Sequence, residues 1–172
     1  ATLHGPWSSA GQAACTGPAV GSVSGAVSAD GSYPMPSVTV AGGGYYAWRV
    51  AIDGTDISLP VAGCGATVKV LARPGAGISW SPAAPAANDN VLATASVSGI
   101  PFPAQVRVRI TLYQDAVCGT SIQASDLVRS GNGTVSIDFF VPTGGTYSWR
   151  AEVSSGDLWV GAASACRTMS AS

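Results

Sequence analysis

Four cysteines offer the clearest covalent chemistry in this chain, and they stand in two similarly spaced pairs. The separation between Cys15 and Cys64 nearly equals that between Cys118 and Cys166. None has the Cys-x-x-Cys spacing typical of zinc or redox sites. The spacing therefore predicts two disulfides, Cys15 with Cys64 and Cys118 with Cys166, and hence an oxidising compartment. Four buried thiols, or disulfides between the two halves, are the alternatives.

Side chains suited to catalysis or metal binding are scarce. The chain has a single histidine, His4, no Gly-x-Ser-x-Gly turn for a nucleophile, and only nine carboxylates. Asp53, Asp56 and Asp89 lack the regular acidic spacing of a calcium-binding loop, and turn chemistry explains them more simply. We expect no catalytic residues, no metal and no other cofactor.

Tryptophan side chains offer a different chemistry, since a flat exposed ring can stack on a sugar. Trp7, Trp80 and Trp159 fall outside the clearest strand patterns. If all three were exposed, they would suit a carbohydrate-binding module with a polysaccharide partner. The alternative is that each ring closes the end of a small core, because small domains need their large apolar side chains for packing.

Composition excludes several classes of partner. Charged residues make up 10% of the chain and the net charge is -1, so no basic surface is available for nucleic acid. No apolar run reaches the ~18 residues that a membrane helix needs. We expect neither nucleic-acid binding nor membrane insertion.

An aromatic strand that occurs twice positions these residues. Residues 44–49 read Gly-Tyr-Tyr-Ala-Trp-Arg and residues 145–150 read Gly-Thr-Tyr-Ser-Trp-Arg. Alternate side chains of a strand share one face, so each copy places a tyrosine and a tryptophan together. The predicted core aromatics are Tyr46, Trp48, Tyr147 and Trp149. The repeat also includes the cysteines and indicates two domains, each under about 100 residues.

The segments around the repeat predict short strands and tight turns. Asp30-Gly31 and Asn132-Gly133 are hairpin signals, and residues 37–40 and 135–139 alternate like strands. The predicted organisation is an incomplete β-sandwich over 1–73, a linker rich in Pro, Ala and Gly over 74–89, and a second β-sandwich over 90–172. The first copy lacks counterparts of the opening strands of the second. The last six residues predict a weak or frayed final strand.

Residues 90–166 follow a pattern of hairpin, Gly-Thr-Tyr-x-Trp-Arg-Ala strand, Ser-Gly-Asp turn and final cysteine. This pattern resembles immunoglobulin-like repeats found in tandem in large secreted surface proteins of actinobacteria, and residues 4–70 resemble a diverged copy. The resemblance implies an all-β fold of two immunoglobulin-like sandwiches, the first lacking its opening strands. It also implies a secreted or cell-surface location and a stalk or adhesive role without catalysis.

Two explanations of the missing strands remain open from the sequence. If Ala1 is the natural start, the first domain exposes a sheet edge that a strand of another chain could complete, giving a self-assembling filament. Alternatively, the opening strands precede Ala1 in the same polypeptide. The expected partners are further copies of the chain or neighbouring repeats of one array.

Overall fold

The computed structural model describes residues 1–54 and 60–172, and β-strands account for nearly all of its regular structure. The all-β class predicted from the sequence is confirmed. The chain divides into two compact units, unit 1 (Ala1–Leu71) and unit 2 (Ala72–Ser172). Within the described residues, the single helical segment is a 3-10 turn at Ala10–Gln12. Asp56, one of the carboxylates weighed as a metal ligand, lies outside the described residues.

Unit 1 is built on one antiparallel sheet. Its strands are β1 (Thr2–Trp7), β2 (Ala19–Ser22), β3 (Gly44–Ile52) and β4 (Val61–Val70). They lie in the order β2-β1-β3-β4, so the first aromatic repeat occupies a central strand. Leu3 of β1 lies opposite Trp48 of β3. The part of unit 1 that the structure describes contains no second sheet.

Unit 2 is a β-sandwich of two sheets. Its strands are β5 (Gly75–Ser81), β6 (Asp89–Ser98), β7 (Gln105–Tyr113), β8 (Ser121–Ser130), β9 (Gly133–Val141), β10 (Gly145–Val153), β11 (Ala162–Ala163) and β12 (Arg167–Ala171). One sheet has the order β5-β6-β9. The other has the order β11-β10-β7-β8, with β12 also paired to β10. All of these pairs are antiparallel.

The core of unit 2 follows from strand periodicity. Alternate residues of β6, β7 and β10 point inward and are almost completely buried. These residues are Val91, Ala93, Ala95, Val97, Val106, Val108, Ile110, Leu112, Tyr147, Trp149, Ala151 and Val153. The two sheets therefore enclose a continuous apolar interior.

Residues 74–89, predicted as a linker, belong instead to unit 2. Most of the segment's first half is β5, which pairs with β6 from Gly75↔Ser98 to Ser81↔Leu92. Pro74 and Pro82 flank the strand without interrupting its hydrogen bonds. Ile78 and Trp80 turn toward the core between small residues, and those small residues hid the strand pattern in the sequence.

Residues 37–40 also differ from expectation, because they form no strand although their sequence alternates like one. Their counterpart in unit 2 is β9, which pairs with β6 along its whole length. A strand needs a partner for its backbone groups, and the described part of unit 1 provides no equivalent of β6. The turn at Asp30-Gly31 accordingly joins no strand pair.

The two remaining local predictions are corrected. The predicted hairpin at Asn132-Gly133 is not formed, because β8 and β9, which Gly131 and Asn132 join, pair in different sheets. The turn between them has Gly131 at φ +61°. The last strand is paired and contributes to the core, whereas a weak or frayed strand was predicted. Met169 and Ala171 are buried, and β12 pairs with β10 over five residues.

Candidate functional site

Both predicted disulfides are present, and each closes one unit. The pairs are Cys15–Cys64 and Cys118–Cys166. In both units the first cysteine lies against the repeated tryptophan. The Cys15 sulfur is 3.1 Å from the carbonyl oxygen of Trp48, and the Cys118 sulfur is 3.6 Å from that of Trp149. The sequence repeat is therefore also a repeat in three dimensions.

The repeated tyrosines make the same contact in both units. Tyr46 donates its hydroxyl hydrogen to the carbonyl oxygen of Gly42 at 2.7 Å, and Tyr147 donates to that of Thr143 at 2.9 Å. Each acceptor lies four residues upstream, where the chain turns into the aromatic strand. Both tyrosines are buried, and burial raises the pKa of the Tyr46 phenol, which favours the protonated donor. These two hydrogen bonds fix the turns that lead into β3 and β10.

The repeated tryptophans, in contrast, have different surroundings. Trp149 is completely buried. Its ring centre lies 6.3 Å from that of Trp80 in a stacked arrangement and 5.1 Å from that of Phe139 in an edge arrangement. Both neighbours come from the β5-β6-β9 sheet. Trp48 occupies the equivalent place in unit 1 and is only partly buried.

One side of the unit 1 sheet, which we call the uncovered face, is formed by Trp48, Val50 and Ile52 of β3 with Val61 and Val68 of β4. Strand alternation places the three β3 residues together, and Val61 lies directly opposite Ile52. Val50 is 41% exposed, Ile52 46%, Val61 64% and Val68 43%. An apolar strand face of this size normally lies against a second layer.

Unit 2 shows what such a layer does. Ala151 and Val153 stand where unit 1 has Val50 and Ile52, and they are 0% and 3% exposed. Met169 stands where unit 1 has Val68 and is 3% exposed. The same face is thus a core in unit 2 and a surface in unit 1.

A cavity of about 570 Å³ lies at one end of the uncovered face. Val50 and Ile52 form its floor, and the irregular segment from Ser24 to Met35 forms its wall. Tyr33 in that wall is fixed by its own chain, because its hydroxyl donates to the carbonyl oxygen of Ala29 at 2.6 Å. The lining combines aliphatic side chains with polar ones, Asp30 and Asp53 among them, so this end of the face is less apolar than the rest.

The three tryptophans considered for sugar stacking do not form a set of exposed rings. Trp159 is buried, and its indole N–H donates to the carbonyl oxygen of Ser154 at 2.9 Å. Trp80 is partly buried against Trp149. Trp7 is partly buried, and its ring lies so close to Gly17 that a Cβ added there would overlap it. Each ring therefore has a packing role.

The single histidine makes a structural contact through one of its ring nitrogens. The His4 ring is buried, and its Nδ1–H donates to the carbonyl oxygen of Gly17 at 2.7 Å. No three His, Cys, Asp or Glu side chains within residues 1–54 and 60–172 are grouped as metal ligands. None of the helical turns described there has the length and apolar character of a membrane span.

A cavity of about 540 Å³ on unit 2 is lined by residues of both charges. Arg109 of β7 lies 3.7 Å from Asp126 of β8. Arg150 of β10 lies 3.6 Å from Glu152 of the same strand. All four side chains are about half exposed. The cavity lining therefore carries equal numbers of positive and negative side chains.

Asp115 organises the loop that carries Cys118. Its carboxylate accepts hydrogen bonds from the backbone N–H groups of Val117, Gly119 and Thr120 at 2.9, 3.0 and 2.5 Å. The bonds from Gly119 and Thr120, followed by that from Val117, hold the pKa of this carboxyl below its ordinary value. The loop delivers Cys118 to its disulfide.

Comparison with known proteins adds no family or relative to these observations. No protein-family model matches the chain, and no curated protein is significantly similar to it.

Sequence reasoning missed the uncovered face. It identified the tyrosines and tryptophans of β3 and β10 but not Val50, Ile52, Val61 or Val68. One signal was available: the larger Val50 and Ile52 replace Ala151 and Val153 at a face that the repeat predicts to be internal.

Proposed function

We propose that this chain is a non-enzymatic extracellular structural protein, a subunit of a surface stalk, adhesin or filament that another polypeptide completes by strand addition. The single observation that carries the proposal is the uncovered face of unit 1. Unit 2 has the same aromatic strand, the same tyrosine contact and the same disulfide, but also a second sheet.

The exposed apolar surface favours association with another polypeptide over a monomeric state. Burying apolar surface contributes about 25 cal/mol per Å², and the four aliphatic residues of the uncovered face are each more than two-fifths exposed. Contiguous apolar patches of this kind are typical of interaction surfaces. Completion by a second chain would stabilise unit 1 and join two subunits in the same step.

The disulfides support an extracellular setting. Each lies within one unit and closes a long loop, as in secreted domains with small cores. Together with the resemblance to tandem immunoglobulin-like repeats of actinobacterial surface proteins, this favours a load-bearing role over a catalytic one. Strands cross-linked within each unit would limit extension under tension.

Analytical ultracentrifugation and negative-stain electron microscopy of the oxidised full chain would test this function. We expect association that increases with protein concentration. Val50→Asp places a charge on the uncovered face and should suppress association. The matched control Ala62→Asp places the same charge on the opposite side of the sheet, on exposed β4, and should leave association unchanged. Monomers alone at every concentration would contradict the proposal.

A further inference from the structure

The sheet that covers Trp149 in unit 2 defines the chemistry missing from unit 1. β6 contributes small and medium apolar residues at alternate positions, and β5 contributes the ring of Trp80. The β6 residues facing the core are Val91, Ala93, Ala95 and Val97. Trp80 reaches across to stack on Trp149. Together with Phe139 of β9, these two strands bury the inner face of β10.

Unit 1 retains the third member of that sheet, residues 37–40, but with no strand partner among the residues that the structure describes. Residues 37–40 correspond to the last four residues of β9. Val38 already packs against β2, since a Cβ added at Gly21 would lie 2.6 Å from its side chain. In unit 2 the backbone of β9 pairs with β6 at nine consecutive positions, from Asp89↔Val141 to Val97↔Gly133. Residues 37–40 therefore lie in place to accept a strand.

We propose that the uncovered face, together with residues 37–40, is an acceptor for a two-stranded β-segment with the side-chain pattern of β5 and β6, supplied by another polypeptide. One strand pairs with residues 37–40 and turns alternating small apolar residues toward Val50 and Ile52. The other places an aromatic ring on Trp48. This inference rests on the proposed function and specifies the chemistry of the partner.

Other occupants match fewer of these features. A second copy packed face to face would cover the apolar side chains but would leave residues 37–40 without backbone partners. A saccharide would need hydrogen-bonding groups, whereas the face is made of aliphatic side chains beside one tryptophan. Only an added strand pair satisfies the apolar face and the unpaired segment together.

The full oxidised chain can be titrated with a synthetic peptide of its own residues 75–98, labelled with a fluorophore. We expect saturable one-to-one binding by fluorescence anisotropy. Hydrogen exchange should slow at the backbone amides of residues 37–40 when the peptide is bound. A peptide carrying Trp80→Ala should bind at least about ten-fold more weakly, because it loses the ring that stacks on Trp48.

Matched protein variants locate the binding site. Val50→Asp and Val68→Asp, on β3 and β4 of the uncovered face, should each abolish peptide binding, and Ala62→Asp on the opposite side of the sheet should retain it. Two separate positions are used so that a folding defect in one variant does not decide the result. Binding that survives both substitutions, or that leaves residues 37–40 unprotected, would overturn the inference.

The two proposals fail in different ways. If the chain self-associates and Val50→Asp prevents this, but the peptide does not bind, the structural function stands and the β5–β6 pattern is wrong. If the peptide binds as described but the chain remains monomeric, the acceptor stands and the self-assembling function is wrong. Face-to-face dimers that form without protection of residues 37–40 would also contradict the strand acceptor.

Discussion

Trp48 and Trp149 show that a residue's environment can differ when its local sequence is the same. Each follows a tyrosine by two residues, precedes an arginine and lies beside a disulfide sulfur. Of the two, as far as the described residues go, Trp149 alone has aromatic neighbours on its inner side, Trp80 and Phe139. The difference therefore comes from the presence of a second sheet and not from the strand that carries the tryptophan.

The single residue Asp115 should make the stability of unit 2 depend on pH. Because its folded-state pKa is depressed, its stabilising effect is present above the ordinary value of 3.8 and is lost as the pH falls through the folded value. We expect the urea concentration at the unfolding midpoint of unit 2 to be lower at about pH 2.5 than at about pH 6, partly because of this group. Asp115→Asn should lower the midpoint near pH 6 and reduce the difference between the two pH values.

Asp138→Asn is the matched control for this experiment, since it removes an exposed carboxylate of β9 with the same change in net charge. It should keep the wild-type difference between the two pH values. If Asp115→Asn and Asp138→Asn behave alike, the loop hydrogen bonds of Asp115 contribute nothing specific to stability.

At the scale of elements, Asn132 joins the turn between β8 and β9 to the loop between β6 and β7. Its side-chain oxygen accepts from the N–H of Ile100 at 2.8 Å, and its side-chain nitrogen donates to the Ile100 carbonyl at 3.1 Å. Asn132→Ala should destabilise unit 2 by about 1 to 3 kcal/mol in chemical denaturation, because both partners lose a bond. Asn90→Ala, at an exposed asparagine of β6, is the control. A loss below about 0.5 kcal/mol would contradict the role of this contact.

Elements whose pattern is local were predictable from the sequence, and those that depend on a distant partner were not. Tyr-x-Trp marks β3 and β10, and regular alternation marks β6. β5 was taken for a linker because Pro74 and Pro82 frame it and small residues separate its apolar positions. Residues 37–40 were predicted as a strand on sound periodicity, yet β6 has no described counterpart in unit 1 to pair with them. The uncovered face could not be predicted for the same reason, because the exposure of a strand face depends on whether a second sheet covers it.

At the scale of the whole molecule, two nearly equal disulfides support two unequal cores. They close loops of 49 and 48 residues, so either should restrict the unfolded chain by about 4 kcal/mol. Unit 2 adds to this a sandwich core between two sheets, with Trp149 fully buried. Unit 1, where the structure describes it, has one sheet with an exposed apolar face. Loss of its disulfide should therefore destabilise unit 1 far more than the equivalent loss destabilises unit 2.

Replacing each pair by serine tests this asymmetry. Cys15→Ser with Cys64→Ser should bring the amides of β1 to β4 close to the exchange rates of an unfolded chain, while unit 2 keeps its protection. Cys118→Ser with Cys166→Ser should leave β6, β7 and β10 measurably protected, because the sandwich core retains part of its stability without the crosslink. Hydrogen exchange followed by mass spectrometry resolves the units separately. Equal loss of protection in the two variants would show that unit 1 is as stable as unit 2, and the uncovered face would then need no partner for its stability.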